Sequence, residues 1–330
     1  MSFWQKAWIK ISTLLKAVLA LAVFLCLEYG VFSAFIYFGI DRQIYKGLYN
    51  FITCVLVFAA MFFYNLFCSK RKEPVFRLSK VGPDQVAALI VIGLGMLGFV
   101  TTYLGVVDLI SEYLKPVNEA IEEYRDSVDR FSEVPQIVIP LWDSFLYVFT
   151  LSFFVPVTEE MTFRGVFFGE LRKGFSPWIS VILSAVGFGL MHGISVHIGY
   201  AFVCGLIIAS CYYLTDSLVA PVILHTIFNI FGSGIPTLMT LDCFKFTQAT
   251  VNSFMFVVNM VSIIFMPLAV VAMAYLVIVK RKKENAAKAG SEIVSVTVHT
   301  PEEHSEDKEV TDESVEAENI QTEDGSEADS

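Results

Sequence analysis

Long apolar runs recur along the chain, separated by short clusters of charge. Windows of about 20 predominantly apolar residues, the length that crosses a bilayer's hydrocarbon core, fall at roughly 17–40, 47–68, 85–111, 141–171, 177–195, 198–214, 218–235 and 253–279. The pattern predicts eight helices and an all-α, polytopic membrane protein. Lys6, Lys10 and Lys16 precede the first window as they would in a signal peptide. That apolar stretch is too long for one, and no small-residue cleavage site follows.

The polar interruptions set an expected orientation, because short cytoplasmic loops retain Lys and Arg. The first residues are basic, as are "SKRKEPVFRLSK" after the second window, "LRKG" after the fourth and "KRKK" after the eighth. With eight crossings all four clusters share one side, which places both termini in the cytoplasm. The opposite side receives the acidic segment "SEYLKPVNEAIEEYRDSVDRFSEVPQ", which is amphipathic in part.

Composition agrees, at 55% hydrophobic and 14% aromatic with 30 Phe, well above the apolar share of an ordinary soluble domain. The net charge of −10 conceals two parts: from Glu284 onward there are 15 acidic and 2 basic residues, a balance of −13, which leaves residues 1–283 at about +3. The expected division is a transmembrane domain over 1–279, with its motif-bearing core at about 150–235. A basic stop and an acidic, disordered cytoplasmic tail then follow over 280–330. Six cysteines, without CxxC spacing, suggest neither a disulfide framework nor a zinc cluster. Cys68, at the end of the second window, reads as a structural thiol, with palmitoylation as the alternative. Nothing points to nucleic acid.

Against this background "PVTEEMTFR" is out of place, because ionisable groups inside a span cost several kcal/mol unless paired or facing a cavity. On a helix Glu160 and Arg164 stand at i and i+4, the spacing of a side-chain ion pair, while Glu159 is rotated by about 100° and needs another partner. A buried pair that only fixes helix packing remains an alternative for Glu160 and Arg164. Two later windows supply candidates for Glu159. "FGLMH" carries His192 inside the predicted helix over 177–195, and "HTIFN" sets His225 and Asn229 one turn apart on one helical face. Counted from the cytoplasmic helix ends at about 1.5 Å per residue, Glu160 and His192 lie roughly 20 and 22 Å deep, and His225 roughly 12 Å. A lone histidine in an apolar helix is usually a packing residue; here several polar groups converge on one layer.

These residues resemble the CPBP intramembrane proteases, a family that includes CAAX-processing endopeptidases and bacteriocin-processing or self-immunity proteins. Its motifs, EExxxR, FxxxH and HxxxN or HxxxD, are matched in order by Glu159-Glu160-Met161-Thr162-Phe163-Arg164, by Phe188 to His192, and by His225 to Asn229. The resemblance is close over about residues 150–232. It implies that Glu159, with His192, activates water against a peptide carbonyl. It also implies that His225 and Asn229 face the oxyanion, and that Glu160, Arg164 and Phe188 support the site. A catalytic zinc ligated by Glu159, His192 and His225 is the open alternative; the expected cofactor is none or a single divalent zinc, with metal-free catalysis preferred. Eukaryotic prenyl-protein processors carry a histidine-rich second motif and a cysteine in the third. Here "HGISVH" and "HTIFN" look like the prokaryotic branch, with His197 expected in an outer loop. The expected partners are the lipid bilayer, here that of a bacterial plasma membrane, and a membrane-associated peptide or protein substrate. The other classes are a non-catalytic immunity or scaffold protein, although every motif side chain is present, and a proton-coupled transporter, although no inverted repeat is visible.

The topology is tested with single cysteines at Ser2, Glu122 and Asp312 in a cysteine-free variant, labelled from outside intact cells. Glu122 should label; labelling at Ser2 or Asp312 instead would reverse the orientation.

Overall fold

The structure, a computed structural model, describes residues 2–129, 139–193 and 195–297. The chain forms two units, Met1–Lys283 and Glu284–Ser330. Among the described residues nearly all the secondary structure is helical, with one isolated bridge between Leu78 and Ser217. The helices are α1 (Phe3–Tyr37), α2 (Lys46–Lys70), α3 (Pro83–Ser111), α4 (Lys115–Asp129), α5 (Leu141–Gly174), α6 (Pro177–Leu190), α7 (Ser195–Thr215), α8 (Val219–Met239) and α9 (Gln248–Thr297). In the second unit residues 284–297 are helical, and the rest of the acidic tail lies outside the described residues.

Among the described residues seven helices are long and apolar enough to cross a membrane: α1, α2, α3, α5, α7, α8 and α9. The chain is an integral membrane protein, and its exterior shows it: Leu15, Leu19, Phe63, Val270 and Val271 are exposed although apolar, as side chains facing lipid tails must be. The remaining predicted helix, over 177–195, differs. α6 has 14 residues, about 21 Å of rise against a hydrocarbon core of about 30 Å. Ser176 caps its start and Gly193, at φ +73°, ends it, the left-handed residue that closes many helices. α7 returns antiparallel beside α6: a Cβ on Gly189 would meet Phe202 and Ile198, and one on Gly205 would meet Ala185 and Phe188.

α5 is the central helix, packed against α1, α2, α6 and α8. Val57, Met61, Val75, Met161, Val166 and Tyr212 form the core around it. A second core of Leu89, Ile92, Met96, Ile208, Leu224 and Leu276 joins α3, α7, α8 and α9. α3 and α9 approach closely because Gly98 has no side chain; a Cβ there would lie 2.2 Å from the Ser262 carbonyl oxygen. Small residues allow this in membranes, where helices associate by packing rather than by expelling water.

Two helices contain wide turns closed by i to i+5 hydrogen bonds: α5 at Thr150–Phe154 and Met161–Phe167, and α8 at Ile230–Gly234. Such turns are rare and gather at functional sites. The first is explained by Pro156. The Val155 N–H bonds the Thr150 carbonyl, and the same spacing would send the next N–H to Leu151, but proline has none.

The acidic segment after α3 folds over Lys115–Asp129 into α4, which packs on α3 and α7. Ile121 is buried, and Arg125 Nη2 sits 2.6 Å from Asp108 Oδ1. Residues 130–138 of that segment lie outside the described residues.

Asp143 is a buried carboxylate without a charged partner in the sequence pattern. Its Oδ2 accepts from the Gly47 N–H at 2.7 Å and its Oδ1 from Leu48 at 2.8 Å, so one helix caps the start of another. Asp143→Ala should cost about 3 kcal/mol, from two charge-assisted hydrogen bonds and two buried donors left open. The expected result is a lowered melting temperature in detergent, and an unchanged one would remove the capping role.

Candidate active site

Glu159 and Glu160 close a regular stretch of α5, Val155–Glu160, that lies between its two wide turns. Glu160 is fully buried, and so is Arg164, with Arg164 Nη1 donating to Glu160 Oε1 at 2.9 Å. The ion pair expected from the spacing is present. Arg164 also donates from Nη2 to the Gly205 carbonyl at 3.2 Å, and its guanidinium carbon stands 4.5 Å from the Phe188 ring centroid. A single side chain thereby ties α5 to α6 and α7, partly through cation–π attraction.

Glu160 has a second partner. His225 Nδ1 lies 2.7 Å from Glu160 Oε1, and because an ionised carboxylate only accepts, Nδ1 carries the proton. The opposite ring nitrogen, Nε2, faces Glu159 Oε2 at 3.9 Å, beyond direct hydrogen-bond range and within the span of one water bonded to both. The two carboxylates thus flank one imidazole. Glu159 is 22% exposed whereas Glu160 is sealed, so access belongs to Glu159. Glu160 Oε2 and Arg164 Nε, both buried, find no partner among the described residues.

Asn229 lies one turn beyond His225, as the spacing requires, and its Nδ2 donates to the Leu151 carbonyl at 2.9 Å. This is the carbonyl that Pro156 leaves without an N–H. One of the two amide N–H bonds is therefore committed to the backbone of α5, and one remains.

His192 is placed differently from the sequence expectation. It lies in the turn after α6, beyond Leu190, because Gly193 ends the helix. Its Nδ1 donates to the Phe188 carbonyl at 2.8 Å, which directs Nε2 away from α6. Phe188 is the spacer of the site, its ring centroid 4.6 Å from that of His192, 6.0 Å from His225 and 5.0 Å from Phe163. His197 is likewise not in a loop; it stands in the first turn of α7, 4.5 Å from the His192 ring and stacked on Tyr200 at 4.7 Å. Tyr124 of α4 lies 6.2 Å from His197.

Among the described residues no group of three His, Cys, Asp or Glu side chains stands so as to hold a metal ion. All six cysteines are free, and Cys68 is buried.

What the sequence did not signal are the backbone acceptors at Leu151 and Gly205, which no residue type announces. It also missed Glu170, buried one turn of the motif helix after Val166, where it accepts from the Tyr64 hydroxyl at 2.9 Å and from Lys173 at 2.8 Å.

Residues 141–231 match the family described as "Type II CAAX prenyl endopeptidase Rce1-like", an interval that contains all three motifs. Over 123 residues the chain is 26% identical to a Bacillus subtilis (strain 168) protein named "Putative membrane peptidase YdiL", covering 37% of this chain and 50% of that protein. The chain thus matches about half the length of that relative. No solved structure matches. Both likenesses support the resemblance to CPBP proteases drawn from the motifs.

Glu160→Gln would leave Arg164 buried without its counter-charge and weaken the hold on His225. The expected cost is about 3–5 kcal/mol, seen as low yield and a lowered melting temperature. A normal melting temperature would show that the pair does not hold the site together.

Proposed function

We propose that this protein is an intramembrane endopeptidase acting on a membrane-associated peptide or protein in a bacterial plasma membrane. The observation that carries the reading is His225 between its two carboxylates, Nδ1 on buried Glu160 and Nε2 toward accessible Glu159. Structural ion pairs need no such difference in exposure. The family match over residues 141–231 adds that peptide-bond hydrolysis is the chemistry to expect.

In the proposed cycle Glu159 takes a proton from water as the water oxygen bonds to the substrate's carbonyl carbon. The carbonyl oxygen becomes an oxyanion. Doubly protonated His225 donates to it from Nε2 while Glu160 holds Nδ1, and Asn229 donates from its remaining amide N–H. With His225 protonated, Glu159, Glu160, Arg164 and His225 sum to zero formal charge before Glu159 accepts its proton, which suits a site within lipid. The C–N bond then breaks, and the leaving amine takes the proton from Glu159. His192, at the end of α6 with Nδ1 committed to Phe188, has Nε2 free to orient the water or the substrate. No metal is required in this scheme. The prenylated substrates of the eukaryotic enzymes are not the expected ones, for the motif differences above.

Glu159→Gln keeps the side-chain volume and removes the base, so cleavage should fall by at least the roughly 10²- to 10⁴-fold typical of general-base loss, with the melting temperature unchanged. His225→Ala should lower turnover by about 10²- to 10³-fold. Comparing membrane and medium peptides from cells carrying the intact protein and Glu159→Gln supplies the substrate, expected as one or a few small peptides left unprocessed in the variant. Identical peptide profiles would favour a non-catalytic role. Purified protein should be active without stoichiometric zinc; activity lost on zinc removal and restored on its return would overturn the metal-free scheme.

A further inference from the structure

At the basic end of the bundle, away from the motif residues, a cavity of about 130 Å³ is lined by Arg77, Arg172 and Lys280 with Asp216 and the rings of Phe168, Tyr212 and Tyr213. Arg77 pairs with Asp216 at 2.5 Å, while Arg172 donates to the Val75 carbonyl at 3.0 Å, a neutral acceptor that leaves its charge uncompensated by that bond. Lys280 Nζ lies 5.2 Å from the Tyr213 ring centroid. The lining comes from the ends of α5 and α7, from Lys280 within α9 and from the loop before α3, where the basic segments of the sequence gather.

Beside this cavity runs a second one, of about 180 Å³, open along the bundle between α7 and α9 and lined by Trp178, Leu206, Ile207, Ser210, Leu214, Met273 and Val277. Met273, Val277 and Lys280 occupy one face of α9 at i, i+4 and i+7, so the groove leads to the cation. The boundary is marked by Trp178 packed edge-on against Tyr213 at 5.3 Å, the residue types that settle where hydrocarbon meets headgroups. A charged cup above an apolar groove, joined at an aromatic step, has the amphiphilic form of a single lipid.

We propose that this site binds one anionic phospholipid, its phosphodiester among Arg172, Lys280 and Arg77 and an acyl chain along the α7–α9 groove. Charge complementarity selects the anion, because cationic pockets at the cytoplasmic ends of helices attract acidic headgroups and guanidinium groups recognise phosphate oxygens. The groove selects a lipid over a free phosphate ion. Occupancy would fasten α9 to α7 and to the end of α5, the helix that carries Glu159 and Glu160.

The test is thermal unfolding of the full chain in a neutral detergent with phosphatidylglycerol, with phosphatidylcholine of the same chains, or with inorganic phosphate. Phosphatidylglycerol should raise the melting temperature by several degrees at saturation; the other two should not. Arg172→Gln with Lys280→Gln should weaken the response about tenfold in lipid concentration. Should that variant fail to fold, Ser210→Leu, which fills the groove and leaves every cation in place, should weaken it by a similar factor. Equal stabilisation by phosphatidylcholine would mean that only apolar contact matters. Stabilisation by phosphate alone would mean a site for a free anion, and a full response in Ser210→Leu would mean that the groove holds no chain. Any of these three results overturns the proposal.

Discussion

The arrangement depends on the cost of burying Glu160. A carboxylate sealed among helices in lipid must be offset on the spot, and Arg164 one turn away does so while reaching to Gly205 and to the face of Phe188. The helices α5, α6 and α7 are therefore fixed by one charge and its partner. His225 of α8 adds a fourth contact through the same oxygen of Glu160. Breaking such a pair is expensive even where forming it contributes little net stability, so the cluster acts mainly to specify how the helices meet.

Irregular backbone surrounds this cluster and is supported by it. Pro156 deprives the Leu151 carbonyl of a donor, and Asn229 of α8 supplies one. The side chain assigned to the chemistry thus also repairs the helix that carries Glu159 and Glu160. Ser184 of α6 similarly donates to the Phe163 carbonyl at 3.2 Å, inside the second wide turn. Unpaired carbonyls are costly in hydrocarbon, which explains why both distortions of α5 are met by a polar side chain from a neighbouring helix.

Spans and local spacing were legible in the sequence because both depend on near neighbours. Apolar windows foretold the long helices, and Glu160 with Arg164 at i and i+4 gave the ion pair. What escaped required contacts far apart in sequence or single backbone angles. Asp143 caps α2 from about a hundred residues away, and Glu160 meets His225 across 65 positions. The left-handed angle at Gly193 released His192 from its helix, and α7 began early enough to include His197. Apolar periodicity carries no trace of either.

The wide turns in α5 also make residue count a functional property of that helix. Each turn holds one residue more than regular spacing allows, so removing a residue between Glu160 and Arg164 would swing the guanidinium about 100° around the axis. Exposed loops absorb insertions and deletions with little consequence. In this helix the insertion or deletion of one residue would rotate whatever follows it, so length there is constrained as tightly as identity.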